Sequence, residues 1–305
     1  MSSISQPLFV TEPFPPSARA RLGTMLRGKW RLDEILGAGG MATVYSSTHR
    51  NGRRAAIKVL HPELARNADM VERFVDEGYY ANRVGHRGAV RVLDDDIDDD
   101  GTVFLVMELL RGETLEDRRE RHGGRLPCHD VLCIMERAID VLVAAHAKGI
   151  IHCDLKPANL FVTEAGKVKV LDFGMAGLLE AVPGLRGIPA GTPPFMPPEQ
   201  AYGRWDEVDA RSDVWALGAT MFTLLTGQYL HEAPTYHQAL WAAGTQRAPS
   251  LGAVGIPFAP PLIALVDRAL EPEPHLRWQD AASLQTAVRN AWFQIHGRIS
   301  EVTAA

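Results

Sequence analysis

The hydrophobic pattern of the chain changes its period near Gly112, and this change restricts the fold more than any other feature. Ahead of it, residues 30–36, 43–49 and 55–60 are short runs rich in β-formers, separated by Gly or Asn-Gly turns, as in antiparallel strands. Residues 69–84 read as a helix, and two more strands flank an acidic turn at 94–101. Beyond Gly112, apolar residues recur at 131, 134, 135, 138, 139, 142 and 145, a helical spacing. Further helices are expected over 211–227, 235–243, 262–270 and 280–294. A strand-rich front and a helix-rich back predict an α+β protein of two lobes. No repeat with a period of about 20–50 residues is visible, which excludes solenoids and propellers.

Composition narrows the class. With 46% hydrophobic and 23% charged residues, the 305-residue chain has the makings of a packed core rather than of a disordered segment. A formal charge of −5 argues against a nucleic-acid partner held by global positive charge. Three cysteines, Cys128, Cys133 and Cys153, are too few for a disulfide framework and suit a reducing compartment, and no second Cys or His pair makes a zinc spacing. The N-terminus lacks the apolar region of an export signal. The longest uncharged stretch, 248–266, is broken as a helix by Pro249, Pro257, Pro260 and Pro261, and 214–226 is too short to span a bilayer. A soluble cytoplasmic protein with no membrane partner is expected.

The first segment with chemical content is Leu36-Gly37-Ala38-Gly39-Gly40-Met41-Ala42-Thr43-Val44-Tyr45. Glycines let backbone N–H groups approach a phosphate without a Cβ in the way. A Rossmann loop would be followed by a helix, whereas 43–49 reads as a strand, and the Walker A pattern is absent. What remains is a strand–Gly loop–strand hairpin, with a plain glycine turn as the bland alternative. The next strand carries Ala55-Ala56-Ile57-Lys58, and a lysine turned inward from an apolar strand must find a negative partner. Glu77, in Arg73-Phe74-Val75-Asp76-Glu77, is the natural one, with Asp76 as the competing acid.

A second constellation follows the long helix. His152-Cys153-Asp154-Leu155-Lys156-Pro157-Ala158-Asn159 fits H-x-D-x-x-x-x-N. It combines an acceptor for a hydroxyl proton, Asp154, with an oxygen ligand for Mg²⁺, Asn159, on one loop, and Lys156 can neutralise a transferring phosphoryl group. Asp172-Phe173-Gly174 then offers a second hard ligand in Asp172. Each piece alone is ambiguous, but the ordered set is not plausibly accidental.

With these residues in place, the chain from Trp30 to about Phe293 resembles a Hanks-type protein kinase, most nearly the bacterial eukaryotic-like serine/threonine kinases. Asp154-Leu155-Lys156-Pro157-Ala158-Asn159 resembles the Ser/Thr version. The resemblance implies a bilobal kinase-like fold, with a β-rich N-lobe of one main helix at about 29–110 and an α-helical C-lobe at about 111–293. It implies ATP and Mg²⁺, or Mn²⁺, as cofactors, bound in a cleft between the lobes, and proteins bearing Ser or Thr as substrates. Asp154, Lys156, Lys58 and Glu77 would be catalytic, and Asn159 and Asp172 would hold the metal. ATP would meet Leu36, Gly37, Gly39, Ala42, Val44, Ala56 and Lys58. Met107 would be the gatekeeper, Glu108 and Leu110 would pair with adenine through their backbone, and Val44, Ala56 and Phe161 would sandwich it. Thr192 would support Asp154 and Lys156, Glu199 would form a buried pair with Arg277, and Asp213 would lie on the helix that anchors the catalytic loop.

Two positions depart from the family pattern. Cys153 stands where the family usually has an Arg that pairs with a phosphorylated residue, and residues 175–190 contain no Ser, Thr or Tyr. Activation by phosphorylation within 174–191 is therefore not expected. Ala42 replaces the third glycine of the loop, which would stiffen it or alter its approach to phosphate. The alternatives are a nucleotide-binding pseudokinase scaffold and a small-molecule phosphotransferase.

Other signals are set aside. The run at 94–101 matches the start of an EF-hand loop, but the closing acid is one place late and the flanks read as strands, so a hairpin turn is expected. Arg118, Arg119, Arg121 and Arg125 read as a solvated helix face before a docking patch. Residues 1–28 read as a flexible lead and 294–305 as a tail, too short for a sensor, so a separate regulatory protein is expected.

Overall fold

The structure, a computed structural model, describes residues 14–173 and 191–297. These divide into two compact units, one running up to Asn82 with Val90–Arg111, the other comprising Arg83–Ala89 and the chain from Gly112 onward.

The first unit is built on an antiparallel sheet of β1 (Met25–Leu26), β2 (Trp30–Ala38), β3 (Ala42–His49), β4 (Arg54–Leu60), β5 (Val92–Ile97) and β6 (Val103–Met107) in the order β1-β2-β3-β4-β6-β5. Strand alternation gives it two apolar faces. Leu32, Tyr45, Ala55, Ile57, Val59, Phe104 and Val106 share one cluster with Ala18 of a short helix, α1 (Pro16–Ala20). Ala56, Leu60, Val103, Leu105 and Met107 cluster with Phe74 of α2 (Ala68–Val84). Lys58 lies between Ala56 and Leu60, so the same alternation turns it to the α2 face.

Within the stretch expected as a flexible lead, residues 16–20 and 25–26 form α1 and β1. Ala18 and Leu26 are buried in the core, and the Tyr45 hydroxyl donates to the Ala18 carbonyl at 3.0 Å. A five-residue helix and a two-residue strand carry too little pattern to be read locally, and tertiary contacts hold them. The acidic run forms the β5–β6 hairpin turn, with the Asp98 N–H on the Thr102 carbonyl. Its carboxylates receive Arg27, whose N–H donates to Asp98 and whose guanidinium meets Asp96 and Asp99.

The second unit is helical, apart from a small sheet of β7 (Gly112–Thr114), β8 (Leu160–Thr163) and β9 (Val168–Val170). Its helices are α3 (Leu115–Arg121), α4 (Cys128–His146), α5 (Pro198–Ala201), α6 (Ala210–Thr226), α7 (Tyr236–Thr245), α8 (Pro260–Ala269) and α9 (Ala281–His296). From Ser212 to Thr226 every residue of α6 is buried, which explains why it lacks an amphipathic pattern. On α3, Arg118 and Arg121 face Glu113 and Arg119 pairs with Glu116, so much of the basic cluster is neutralised within the chain. Among the described residues no helix is long and apolar enough to cross a membrane.

The Tyr45–Ala18 bond sets a test of the ordered lead. Tyr45→Phe should lower stability by about 1 kcal/mol, because the Ala18 carbonyl loses the hydroxyl donor and keeps only the Arg21 N–H at 3.3 Å. Urea denaturation of the two proteins measures the difference.

Candidate active site

In the first unit, β2 and β3 are joined by the glycine turn. No protein atom comes within 4 Å of where a Cβ would stand on Gly37 or Gly40, and on Gly39 only the Ala42 carbonyl does, at 3.8 Å. Internal packing therefore does not demand these glycines, and the bare backbone leaves room for a ligand's phosphates. His61 braces the turn: its N–H donates to the Met41 carbonyl and its Nε2 lies 2.9 Å from the Gly39 carbonyl. Ala42 sits at the start of β3, buried in the cluster with Leu60 and Phe74, so its methyl is part of the core. Val44, Ala56 and Met107 belong to the same cluster. The Lys58 ammonium donates to Glu77 Oε1 at 2.5 Å, both side chains being about nine-tenths buried. Glu77, not Asp76, is thus the acid that α2 presents to the strand. The Glu108 N–H donates to the Arg91 carbonyl, and Glu108 and Leu110 are half-buried. Leu36 is exposed beside the turn.

In the second unit, the loop between α4 and β8 carries His152 to Asn159. Asp213, fully buried on α6, holds it from beneath. Its Oδ2 accepts from the His152 N–H at 2.9 Å and its Oδ1 from the Cys153 N–H at 3.0 Å, while His146 Nε2 lies 2.8 Å from Oδ2. From the other side, Gln200 of α5 donates its amide to the Cys153 carbonyl at 2.7 Å. Cys153 takes φ +64°, a conformation that L-residues seldom adopt and that these backbone contacts sustain. Its thiol pKa is pushed well up, first by complete burial and then by the charges of Asp213 and Asp154. A thiol so placed is less reactive than a free cysteine.

Asp154 is fixed at both oxygens. Thr192 Oγ1 donates to Oδ1 at 2.8 Å and accepts from Lys156 Nζ at 2.7 Å, and the same ammonium donates to Oδ2 at 2.8 Å. Asn159 turns its Nδ2 to the Asp154 carbonyl at 2.8 Å, which leaves Oδ1 as the atom it offers to a cation. Leu171 donates its N–H to the Asn159 carbonyl and accepts from His152 Nε2, so Asp172 follows directly from the same loop. Asp172 itself has φ +55°, and the Phe173 ring lies 4.8 Å from that of His152. Among the described residues no group of three or more His, Cys, Asp or Glu forms a metal cage. Two hard oxygen ligands, from Asn159 and Asp172, nonetheless suit Mg²⁺, which keeps waters and takes phosphate oxygens. Phe161 lies on β8, opposite Lys169 of β9.

Glu199 and Arg277 form a bidentate pair at 2.7 and 2.9 Å, with Arg277 wholly buried. The remaining guanidinium donors go to the carbonyls of Glu271, Pro272 and Arg211, and Ser212 donates to Glu199. All five donors of the arginine are used, which is what allows a charge to be buried at this depth. His61, His146 and Gln200 were not singled out from the sequence. Each acts across a turn or between elements, and no local spacing announces such a contact.

The family model described as "Protein kinase domain" matches residues 30–293, and the chain belongs to that family. It is 37% identical over 280 residues to the serine/threonine-protein kinase Pkn1 of Myxococcus xanthus, covering 90% of this chain and 39% of that one. It is 36% identical over 214 residues to PknA of Mycobacterium tuberculosis, covering 68% of this chain and 49% of that one. The chain thus spans half or less of the length of these relatives. The crystal structure of the Mycobacterium tuberculosis PknI kinase domain superposes with a TM-score of 0.68 at 26% identity, covering 88% of this chain and 98% of that one.

The anchor at Asp213 predicts a pH dependence. Burial pushes its carboxyl pKa up, but the His146 hydrogen bond, the charges of His146 and His152, and the His152 N–H outweigh this and hold it below its ordinary value. Its stabilisation is therefore complete above about pH 4 and is lost as the pH falls through the lowered folded value. Asp213→Asn should cost roughly 2–3 kcal/mol at pH 7, and the gap to wild type should narrow below about pH 4 in urea denaturation.

Proposed function

We propose that the protein transfers the γ-phosphoryl group of ATP to Ser or Thr hydroxyls of protein substrates. The observation that carries this reading is the closed triangle of Asp154, Lys156 and Thr192. An isolated carboxylate in a loop would be free to rotate. Here a hydroxyl and an ammonium hold it in one orientation, as proton acceptance from a substrate hydroxyl requires.

Asp154 orients that hydroxyl and accepts its proton, and Lys156 offsets negative charge on the phosphoryl group. Lys58, held by Glu77, binds nucleotide phosphates beneath the glycine turn. In the first unit Val44 and Ala56 flank the adenine, with Met107 as gatekeeper and the backbone of Glu108 and Leu110 as its hydrogen-bonding edge. Asn159 and Asp172 hold the divalent cation, for which Mg²⁺ is the preferred hard ion and Mn²⁺ a substitute; when bound, it neutralises phosphate charge. The three free cysteines suit a reducing cytoplasm.

Thr192 to Glu199, locked to Arg277, favours protein over small-molecule substrates, because it supplies a rigid ledge next to Asp154. The departures that suggested a scaffold lose their force. Cys153 contributes mainly through its backbone, and the Ala42 methyl packs inward. Asp154→Ala should lower transfer to a generic protein substrate by at least about 100-fold while ATP still binds in calorimetry, and Lys58→Met should abolish transfer with weakened binding. Undiminished transfer by Asp154→Ala would falsify the assignment.

We further propose that activity does not require phosphorylation within 174–191. Residues 174–190 lie outside the described residues, and the support comes from the sequence: 175–190 contain no Ser, Thr or Tyr, and Cys153 offers no guanidinium to pair with a phosphate. Phosphatase treatment should leave the transfer rate within about twofold of the untreated protein. A large loss, restored by modification mapped to 174–191, would sink this idea.

A further inference from the structure

The last carbonyls of a helix have no intrahelical partner. At the end of α2 a side chain from the loop after α4 supplies one. Lys148 Nζ donates to the carbonyls of Arg83 and Val84, at 2.8 and 2.9 Å. An ammonium is well placed there, because the helix dipole is negative at its C-terminus. The next residue, Gly85, has φ +64°, and a Cβ on it would stand 2.7 Å from Lys148 Nζ. The glycine therefore stops the helix and leaves space for the ammonium.

The segment that follows is held as closely within the same unit. Val170 donates its N–H to the Gly88 carbonyl at 2.7 Å, Lys169 Nζ donates to the Ala89 carbonyl at 3.3 Å, and His86 Nε2 lies 3.2 Å from Asp140. A Cβ on Gly88 would come within 2.4 Å of Val141. The end of α2 is thus a fixed point. Glu77 lies six residues before Arg83, about 9 Å along the helix axis.

We propose that Lys148, acting with Gly85, is a positioning residue that caps the C-terminal turn of α2, the helix that carries Glu77. The proposal rests on the kinase reading above. Lys148 is exposed, and its ammonium donates to the last turn of α2. Arginine can make the same two donations, whereas methionine cannot.

Two measurements on the full chain test this. In transfer assays with Mg-ATP and a generic protein substrate, Lys148→Met should lower kcat/KM by roughly three- to tenfold, and Lys148→Arg should restore at least half of wild-type activity. Introduced into Glu77→Gln, which already lacks the ion pair, Lys148→Met should change the residual activity by less than about twofold. A general loss of folded protein would instead reduce both backgrounds by the same factor, and that outcome would overturn the proposal. So would failure of the arginine to restore activity. Hydrogen exchange, which needs no activity, should show faster exchange over residues 80–84 in Lys148→Met with α4 unchanged, and unaltered exchange there refutes the clamp. A wild-type protein that binds Mg-ATP but transfers nothing would count against the kinase reading, while the exchange data would still decide the clamp.

Discussion

Asp213 is the group on which the candidate catalytic loop depends. A carboxylate wholly removed from water needs hydrogen-bond donors, and this one finds them in the loop it supports and in His146 of α4. The N–H groups of His152 and Cys153 are drawn to its two oxygens, which fixes the backbone immediately before Asp154. The φ of +64° at Cys153 is a local cost that these bonds offset. The loop conformation is therefore imposed by a buried charge on a neighbouring helix.

The rest of the second unit extends that logic outward. α6 is buried over nearly its whole length, which makes it rigid enough to carry such an anchor. The same helix offers the Arg211 carbonyl and the Ser212 hydroxyl to the Arg277–Glu199 pair. Glu199 in turn neighbours Gln200, which holds the Cys153 carbonyl. The Glu199–Arg277 pair and the backbone of Cys153 are thus tied into one hydrogen-bonded network, and such networks set one geometry where an apolar core would tolerate several. In the first unit the equivalent economy is the sheet's alternation, which puts Lys58 on the α2 face and leaves Glu77 to meet it.

The departures at Cys153 and Ala42 read differently once the packing is known. From the sequence, Cys153 marks a missing guanidinium. In the fold, the position is one where the main chain does the anchoring and the side chain is a buried thiol. Ala42 belongs to the core cluster of the sheet, so its methyl fills space rather than crowding the turn.

Periodicity and motif spacing alone determined the strand-rich and helix-rich parts of the chain, and placed Lys58, Glu77, Asp154, Lys156, Asn159 and Asp172 on the elements that carry them. Those signals are local: alternation, helical spacing and ordered residue types survive in one dimension. The ordered stretch before residue 29, the attachment of Arg83–Ala89 to the second unit, the brace of His61 and the reach of Gln200 and Lys148 left no such trace. They were decided by tertiary structure, because a hydrogen bond between residues far apart in the chain depends on where two backbones pass each other. Neither sequence neighbourhood records that distance.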